Sequence, residues 1–314
     1  MNFTEKIKSE ILAKPIKDDH CKLAFIAGLI RGSGVLYERD GELGLDFKAN
    51  DEQTAMMLTL NFKSLFNYDI REISVSEDRL NKKDKFYLSI SGTRAIEILK
   101  KLEVVKETQD DLVVNLKFFG KLTKRECCVK SFMRGLFVAT GSCTLPSENE
   151  RSSTGYHLEI NFSHYAPAHE TSEKLAEYGI PTKVVNRRDG YIVYIKSAEE
   201  IKDFLAFLPA PISVLKITDL MVNREFANNI NRQKNCDLGN VNKQVEASAK
   251  QISAIDKIEQ VIGLDTLKPD LMQVAKMRKD FPEDTLSELA ERLNLSKSCL
   301  NHRLRKLVCI ADEL

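Results

Sequence analysis

Two glycines inside one apolar helix constrain this chain more than any other feature of its sequence. The stretch LAFIAGLIRGSGVL (residues 23–36) sets Gly28 and Gly32 within a run that otherwise reads as a buried helix. A glycine costs about 1 kcal/mol there relative to alanine. Being four residues apart, the two share a face, and without Cβ atoms they let a second backbone come unusually close. The second helix is found in SFMRGLFVATGSCTL (131–145), where Phe132, Gly135, Leu136, Ala139 and Gly141 repeat the order of Phe25, Gly28, Leu29, Gly32 and Gly34. Cys21 and Cys128 keep the same offset. An internal repeat whose units each carry a close-packing helical face predicts that the faces meet about a pseudo-two-fold axis.

The remaining periodicities repeat as well. In the first unit an alternating run, ELGLDFKAN, puts Leu43, Leu45 and Phe47 on one face of a strand. A helix over 51–67, strands REISVSE and KFYLSIS about a hairpin at DRLNKKD, and a helix GTRAIEILKKL follow. In the second unit a helix over 126–138 and a short strand at 141–145 precede YHLEINFS, with Leu158, Ile160 and Phe162 alternating. A helix over 166–178, strands TKVVNRR and YIVYIKS about an Asp189-Gly190 turn, and a helix over 198–208 complete it. The fold class expected is α+β: two αββαββα repeats, about 20–104 and 125–208, within a domain covering 1–208. Two prolines in LPAPIS (208–213) punctuate the chain. A polar, asparagine-rich helical linker is expected over 209–247, and an all-α domain over 248–314.

That last domain carries the most readable chemistry. In TLSELAERLNLSKSCLNHRLRKL, Thr285 and Glu288 form a capping box for a helix whose inner face is Leu286, Leu289, Ala290 and Leu293. Asn294 suits a left-handed turn, and Ser296 suits the N-cap of a second helix. The second helix turns Cys299, Leu300, Leu304 and Leu307 inward. Lys297, Ser298, Asn301, His302, Arg303, Arg305 and Lys306 are the residues expected to meet DNA, asparagine being suited to adenine, arginine to guanine, and lysine or serine to phosphate. Arg303 occupies a position that is often apolar in a helix-turn-helix. Acidic residues (Asp280, Glu283, Asp284, Glu288, Glu291) precede the turn and basic ones follow it, so one face alone attracts a polyanion. The formal net charge of +1 excludes a globally basic nucleic-acid binder but not such a face.

Seven cysteines show no C-x-x-C spacing and no histidine placed in the sequence to complete a zinc site, so reduced thiols, no metal and no cofactor are expected. The first residues, MNFTEKIKSEIL, are charged throughout, and no later apolar run nears the roughly 18 residues of a membrane span. A cytoplasmic, nucleoid-associated protein without membrane contact is the expectation.

The repeated helices resemble the LAGLIDADG motif of homing endonucleases, matched by IAGLIRGSG (26–34) and more loosely by MRGLFVATG (133–141). In that family the motif helices pack at a two-fold axis, and the last acid of each motif holds the metals that cleave DNA. Here those positions are Ser33 and Thr140, and the earlier acids are replaced by Arg31 and Val138. Neutral hydroxyls cannot replace charged ligands in two-metal hydrolysis, so no catalytic residue is expected. Glu42, Asp46 and Glu159 fall on strand faces that active relatives use to hold DNA.

A degenerate motif pair followed by an asparagine-rich link and a helix-turn-helix resembles the WhiA family of bacterial regulators. The most specific stretches are NRQKNCDLGNVNK (231–243), IEQVIGLDTL (258–267) and LSKSCLNHRLRKL (295–307). The resemblance implies sequence-specific binding of double-stranded DNA and roles in transcription, cell division and chromosome segregation, with other transcription or cell-division proteins as further partners. A protein-interaction module with secondary DNA binding is the alternative.

Overall fold

The computed structural model describes residues 2–39, 41–49, 51–78, 83–109, 111–146, 155–187 and 190–314, and the backbone alone for 71–78 and 83–84. The chain divides into two compact units, Met1–Val222 and Asn223–Leu314.

The first unit is built on α2 (Asp19–Ser33) and α5 (Glu126–Thr140), the two glycine-bearing helices. A Cβ added at Gly28 would stand 2.0 Å from the Phe132 carbonyl oxygen, and one at Gly135 would stand 2.0 Å from the Phe25 carbonyl oxygen. The two contacts are equivalent under the repeat, which is the expected pseudo-two-fold axis. Where the helices diverge, a Cβ at Gly32 would meet Ala139, its own counterpart, at 2.7 Å.

Each motif helix leads into an antiparallel sheet. The first has strand order β1-β2-β4-β3, from β1 (Gly34–Arg39), β2 (Glu42–Ala49), β3 (Arg71–Asp78) and β4 (Lys83–Ile90). The second has the same order, β7-β8-β10-β9, from β7 (Gly141–Thr144), β8 (His157–Phe162), β9 (Lys183–Arg187) and β10 (Gly190–Ile195). Leu45 and Phe47 of β2, and Leu158, Ile160 and Phe162 of β8, are buried as their alternation requires. Helices α3 (Glu52–Phe66) and α4 (Thr93–Lys101) serve the first sheet, α6 (Tyr165–Glu177) and α7 (Ala198–Phe207) the second. Caps set their ends: Asp51 accepts from the Thr54 backbone, and Asn67 closes α3 in the left-handed region at φ 47°.

Several boundaries differ from the sequence reading. The first helix ends at Ser33 rather than running to 36, because Gly34 is extended and begins β1. Helix α5 runs past the expected end at 138. Helix α1 (Phe3–Ala13) and the short strands β5 (Val105–Glu107) and β6 (Leu112–Val114) are additions to the expected elements. The hairpin turn within DRLNKKD and Asp189 of the Asp189-Gly190 turn lie outside the described residues.

The prolines of LPAPIS do not end regular structure. Pro211 stands at the first position of α8 (Pro211–Val261), where its missing N–H is no loss. The Glu10 carboxylate of α1 accepts from the backbone N–H groups of Ile212 and Ser213 at 2.6 and 3.0 Å, capping that helix end. The expected break near residue 248 is absent, since α8 continues as one helix to Val261.

In the second unit, Gly263 at φ +80° closes α8, its N–H reaching the Ile258 carbonyl. Helices α9 (Pro269–Asp280), α10 (Leu286–Arg292) and α11 (Lys297–Glu313) follow. Their core joins Ile255 and Ile258 of α8 to Leu271, Val274, Leu289, Leu300, Leu304 and Leu307. Arg278 is 2% exposed within it and donates to the Gln251 side chain and to the carbonyls of Phe281 and Asp284.

Candidate nucleic-acid interface

The chain between α10 and α11 folds as its residue types require. The Thr285 side chain accepts from the Glu288 N–H at 3.2 Å while the Glu288 carboxylate accepts from the Thr285 N–H at 2.7 Å, so the capping box is complete. This bonding holds the Glu288 carboxyl below the usual carboxylate range. Asn294 takes the left-handed conformation at φ 51°. Ser296 then caps α11, accepting from the Cys299 N–H at 3.2 Å. Replacing Thr285 or Ser296 by alanine is expected to cost about 1 kcal/mol each, read as lost hydrogen-exchange protection of the α10 and α11 amides. Protection equal to the parent chain in both variants would show the turn to be held by packing alone.

The turn aims one face of α11 outward. Successive residues advance by about 100°, which gathers Lys297, Ser298, Asn301, His302, Arg305 and Lys306 on one half of the helix. All six are at least partly exposed, while Leu300, Leu304 and Leu307 are buried on the other half. Among the described residues no carboxylate pairs with Lys297, Arg305 or Lys306. Lys257 of α8 donates to the Ala311 carbonyl, closing the far end of α11 and leaving the face clear.

Arg303 corrects the sequence reading. It flanks Leu307 rather than the exposed face, and its Nε lies 3.6 Å from Asp270 Oδ2 of α9. Its charge is matched within the unit, so its place is against α9 and not among the DNA-facing residues. The acidic side of the motif is likewise self-contained in part, because Asp284 accepts from Arg292 at 2.6 Å.

The tips of the motif helices present a different chemistry. The Ser33 hydroxyl donates to the Leu29 carbonyl at 3.1 Å and the Thr140 hydroxyl to the Leu136 carbonyl at 3.3 Å, so each closes back onto its own helix. Arg31, where the motif has its earlier acid, is mostly buried and donates to the carbonyls of Glu103 and Asn115. Burial pulls its pKa down to about 10, which leaves it a cation at neutral pH. A cavity of about 610 Å³ beside these tips is lined by Arg31, Thr140, Asn161, His164 and Arg187 among others, and no carboxylate lines it among the described residues. Glu159 is engaged by His157 at 2.9 Å and Arg187 at 3.2 Å, and Asp46 accepts from Ser89 at 2.8 Å. Glu42 is exposed on β2.

Comparison with known proteins agrees with this division. Residues 19–105 match the family model of the WhiA N-terminal LAGLIDADG-like domain, 129–227 that of the WhiA LAGLIDADG-like domain, and 230–311 that of the WhiA C-terminal HTH domain. The chain is 34% identical to a probable cell division protein WhiA of Bacillus subtilis, over 100% of this chain and 97% of that protein. It is 32% identical to the protein of the same description from Caldicellulosiruptor saccharolyticus, over 100% and 96%. A crystal structure of full-length DUF199/WhiA from Thermatoga maritima matches with a TM-score of 0.59 at 25% identity, covering 100% of this chain and 99% of that one. Among the described residues no helix is long and apolar enough to cross a membrane. With a degenerate motif pair in one unit and a capped helix-turn-helix in the other, the chain belongs to the WhiA family.

Proposed function

We propose that this protein is a non-catalytic, sequence-specific binder of double-stranded DNA that regulates transcription and acts in cell division and chromosome segregation. The observation that carries the reading is the face of α11, where cationic and amide side chains without carboxylate partners stand on one half of a helix fixed by caps at its entry. Asn301 and Arg305 supply the geometry for base edges, and Lys297, Ser298, His302 and Lys306 supply contacts for phosphate. The family supports the cellular role, since its relatives are described as probable cell division proteins. Absence of catalysis is inferred from the helix tips: with hydroxyls bonded to their own carbonyls and a cavity lined by arginines, no carboxylate pair is positioned to gather two divalent ions.

A second reading, an interaction module whose DNA binding is secondary, draws on exposed Phe226, Leu238, Val241 and Val245 along α8. Salt dependence separates the two. Mobility-shift titrations on genomic fragments enriched by the protein should show log K falling with log salt by about 0.9 per phosphate contact, and Lys297→Ala should reduce that slope by about one. Incubation of the same fragments with magnesium or manganese should leave every strand intact. Selective affinity absent at low salt would sink the leading reading, and metal-dependent nicking that copurifies with the chain would sink its non-catalytic part.

A further inference from the structure

His20 and Cys21 stand in the first turn of α2, and Cys127 and Cys128 in the first turn of α5. These are equivalent places in the two repeats. The axis that lays Gly28 on Phe132 and Gly135 on Phe25 therefore also brings the two first turns together, at the opposite helix ends from Ser33 and Thr140. One imidazole nitrogen and three sulfurs converge there, all within 4.8 Å of one another. His20 Nδ1 lies 3.2 Å from Cys21 Sγ and 3.2 Å from Cys128 Sγ.

These distances fit a tetrahedral ion. Bonds of about 2.3 Å to sulfur and 2.0 Å to nitrogen place the ligand atoms of a four-coordinate zinc site roughly 3.5 to 3.8 Å apart. Small side-chain rotations would suffice to close the group on an ion. Donor type points the same way, three soft sulfurs with one imidazole being a set that selects zinc over magnesium or calcium. Burial is graded, with Cys21 and Cys128 buried, His20 half-buried and Cys127 exposed, so an ion has a route in from solvent.

The surroundings favour sulfur in its ionised form. Both helices point their N-terminal ends, with unpaired N–H groups, at the cluster. The Ser131 hydroxyl, one turn along α5, hydrogen-bonds Cys21, and the buried Arg134 guanidinium lies close enough to Cys21 to feel its charge. Three thiolates this close would repel one another strongly without a cation among them.

We propose that His20, Cys21, Cys127 and Cys128 form a structural zinc site that clamps the first turns of the two motif helices. The sequence expectation of no metal is thereby revised. Binding releases the protons of whichever thiols are not already ionised and changes no oxidation state. The site stands apart from the DNA-facing helix and does not depend on the functional reading above.

The test uses the full-length chain, stripped with a chelator under reducing conditions and titrated with cobalt(II) or zinc(II) alone. The expected result is a tetrahedral, thiolate-ligated cobalt spectrum that saturates at one ion per chain, is displaced by zinc, and is accompanied by a higher thermal midpoint. Cys127→Ser, at an exposed position, and His20→Asn should each weaken zinc binding by more than about 100-fold, and Ser131→Ala by about 10- to 100-fold. Cys236→Ser and Cys309→Ser, exposed and outside the cluster, should leave binding unchanged. Three results would overturn the proposal: no tetrahedral cobalt spectrum, an ion whose affinity is indifferent to both Cys127→Ser and His20→Asn, or a disulfide between cluster cysteines in freshly isolated protein with no bound metal.

Discussion

Gly28→Ala and Gly135→Ala should each destabilise the first unit by about 3 kcal/mol or more, and valine at either position should prevent its assembly. Overpacking a well-filled core typically costs 1 to 3 kcal/mol, when side chains can shift to make room. Here the obstacle is backbone: the new Cβ would stand 2.0 Å from a carbonyl oxygen of the facing helix. Separating the helices far enough to relieve that overlap would loosen the contacts of Phe25, Leu29, Phe132, Leu136 and Phe137, all buried along the same seam.

The sign makes the experiment decisive. In a helix free of this contact, glycine to alanine gains about 1 kcal/mol. Gly239, exposed on α8, supplies that control, because a Cβ added there would meet nothing within 4 Å. Gly239→Ala should therefore stabilise the second unit by up to about 1 kcal/mol. Denaturant unfolding followed in each unit reads both effects. Stabilisation by Gly28→Ala or Gly135→Ala would mean that the two motif helices do not cross as closely as described.

Those glycines also show what the sequence makes legible. A repeated small-residue face has few structural uses, so Gly28 and Gly135 by themselves predict a partner helix and an axis. Thr285, Glu288, Asn294 and Ser296 are legible for the same reason, each acting within three or four residues of itself. Elements whose stability comes from distant partners are not. Helix α1 is fixed by Thr4, whose hydroxyl donates to the Cys143 carbonyl at 2.9 Å and accepts from the Cys143 N–H at 2.8 Å, and by Glu10 at the start of α8. Strands β5 and β6 are three residues each, too short for alternation to show. The middle of α8 is polar on all sides and shows no core-facing stripe to extend the helix beyond 247. Arg303 reads as one more cation until α9 places Asp270 beside it. The His20–Cys128 group is the extreme case, because each pair of neighbours is ordinary in sequence and only the helix crossing joins them.

Removing Asn301 and Arg305 together should reduce affinity for the specific site by about 30-fold to 10⁴-fold while leaving most non-specific binding in place. The two are four residues apart on the exposed half of α11, so they stand about one helical turn, or 6 Å, from each other. Base pairs are stacked at about 3.4 Å, and that separation lets the two side chains address neighbouring or next-neighbouring pairs. Each bidentate contact is worth about 1 to 3 kcal/mol against the wrong base, and every 1.4 kcal/mol is tenfold in affinity. Lys297, Ser298 and Lys306 remain to hold phosphates, so affinity for unrelated DNA should fall far less and its salt slope should lose no more than the one contact of Arg305. Arg303→Ala is the matching control. It breaks the ion pair with Asp270, costs at most about 1 kcal/mol of stability, and should leave specific affinity unchanged in the same titration. If Arg303→Ala weakened specific binding as much as the double variant, the DNA-facing half of α11 would have to be rotated towards α9. If neither changed it, recognition would have to lie outside this helix altogether.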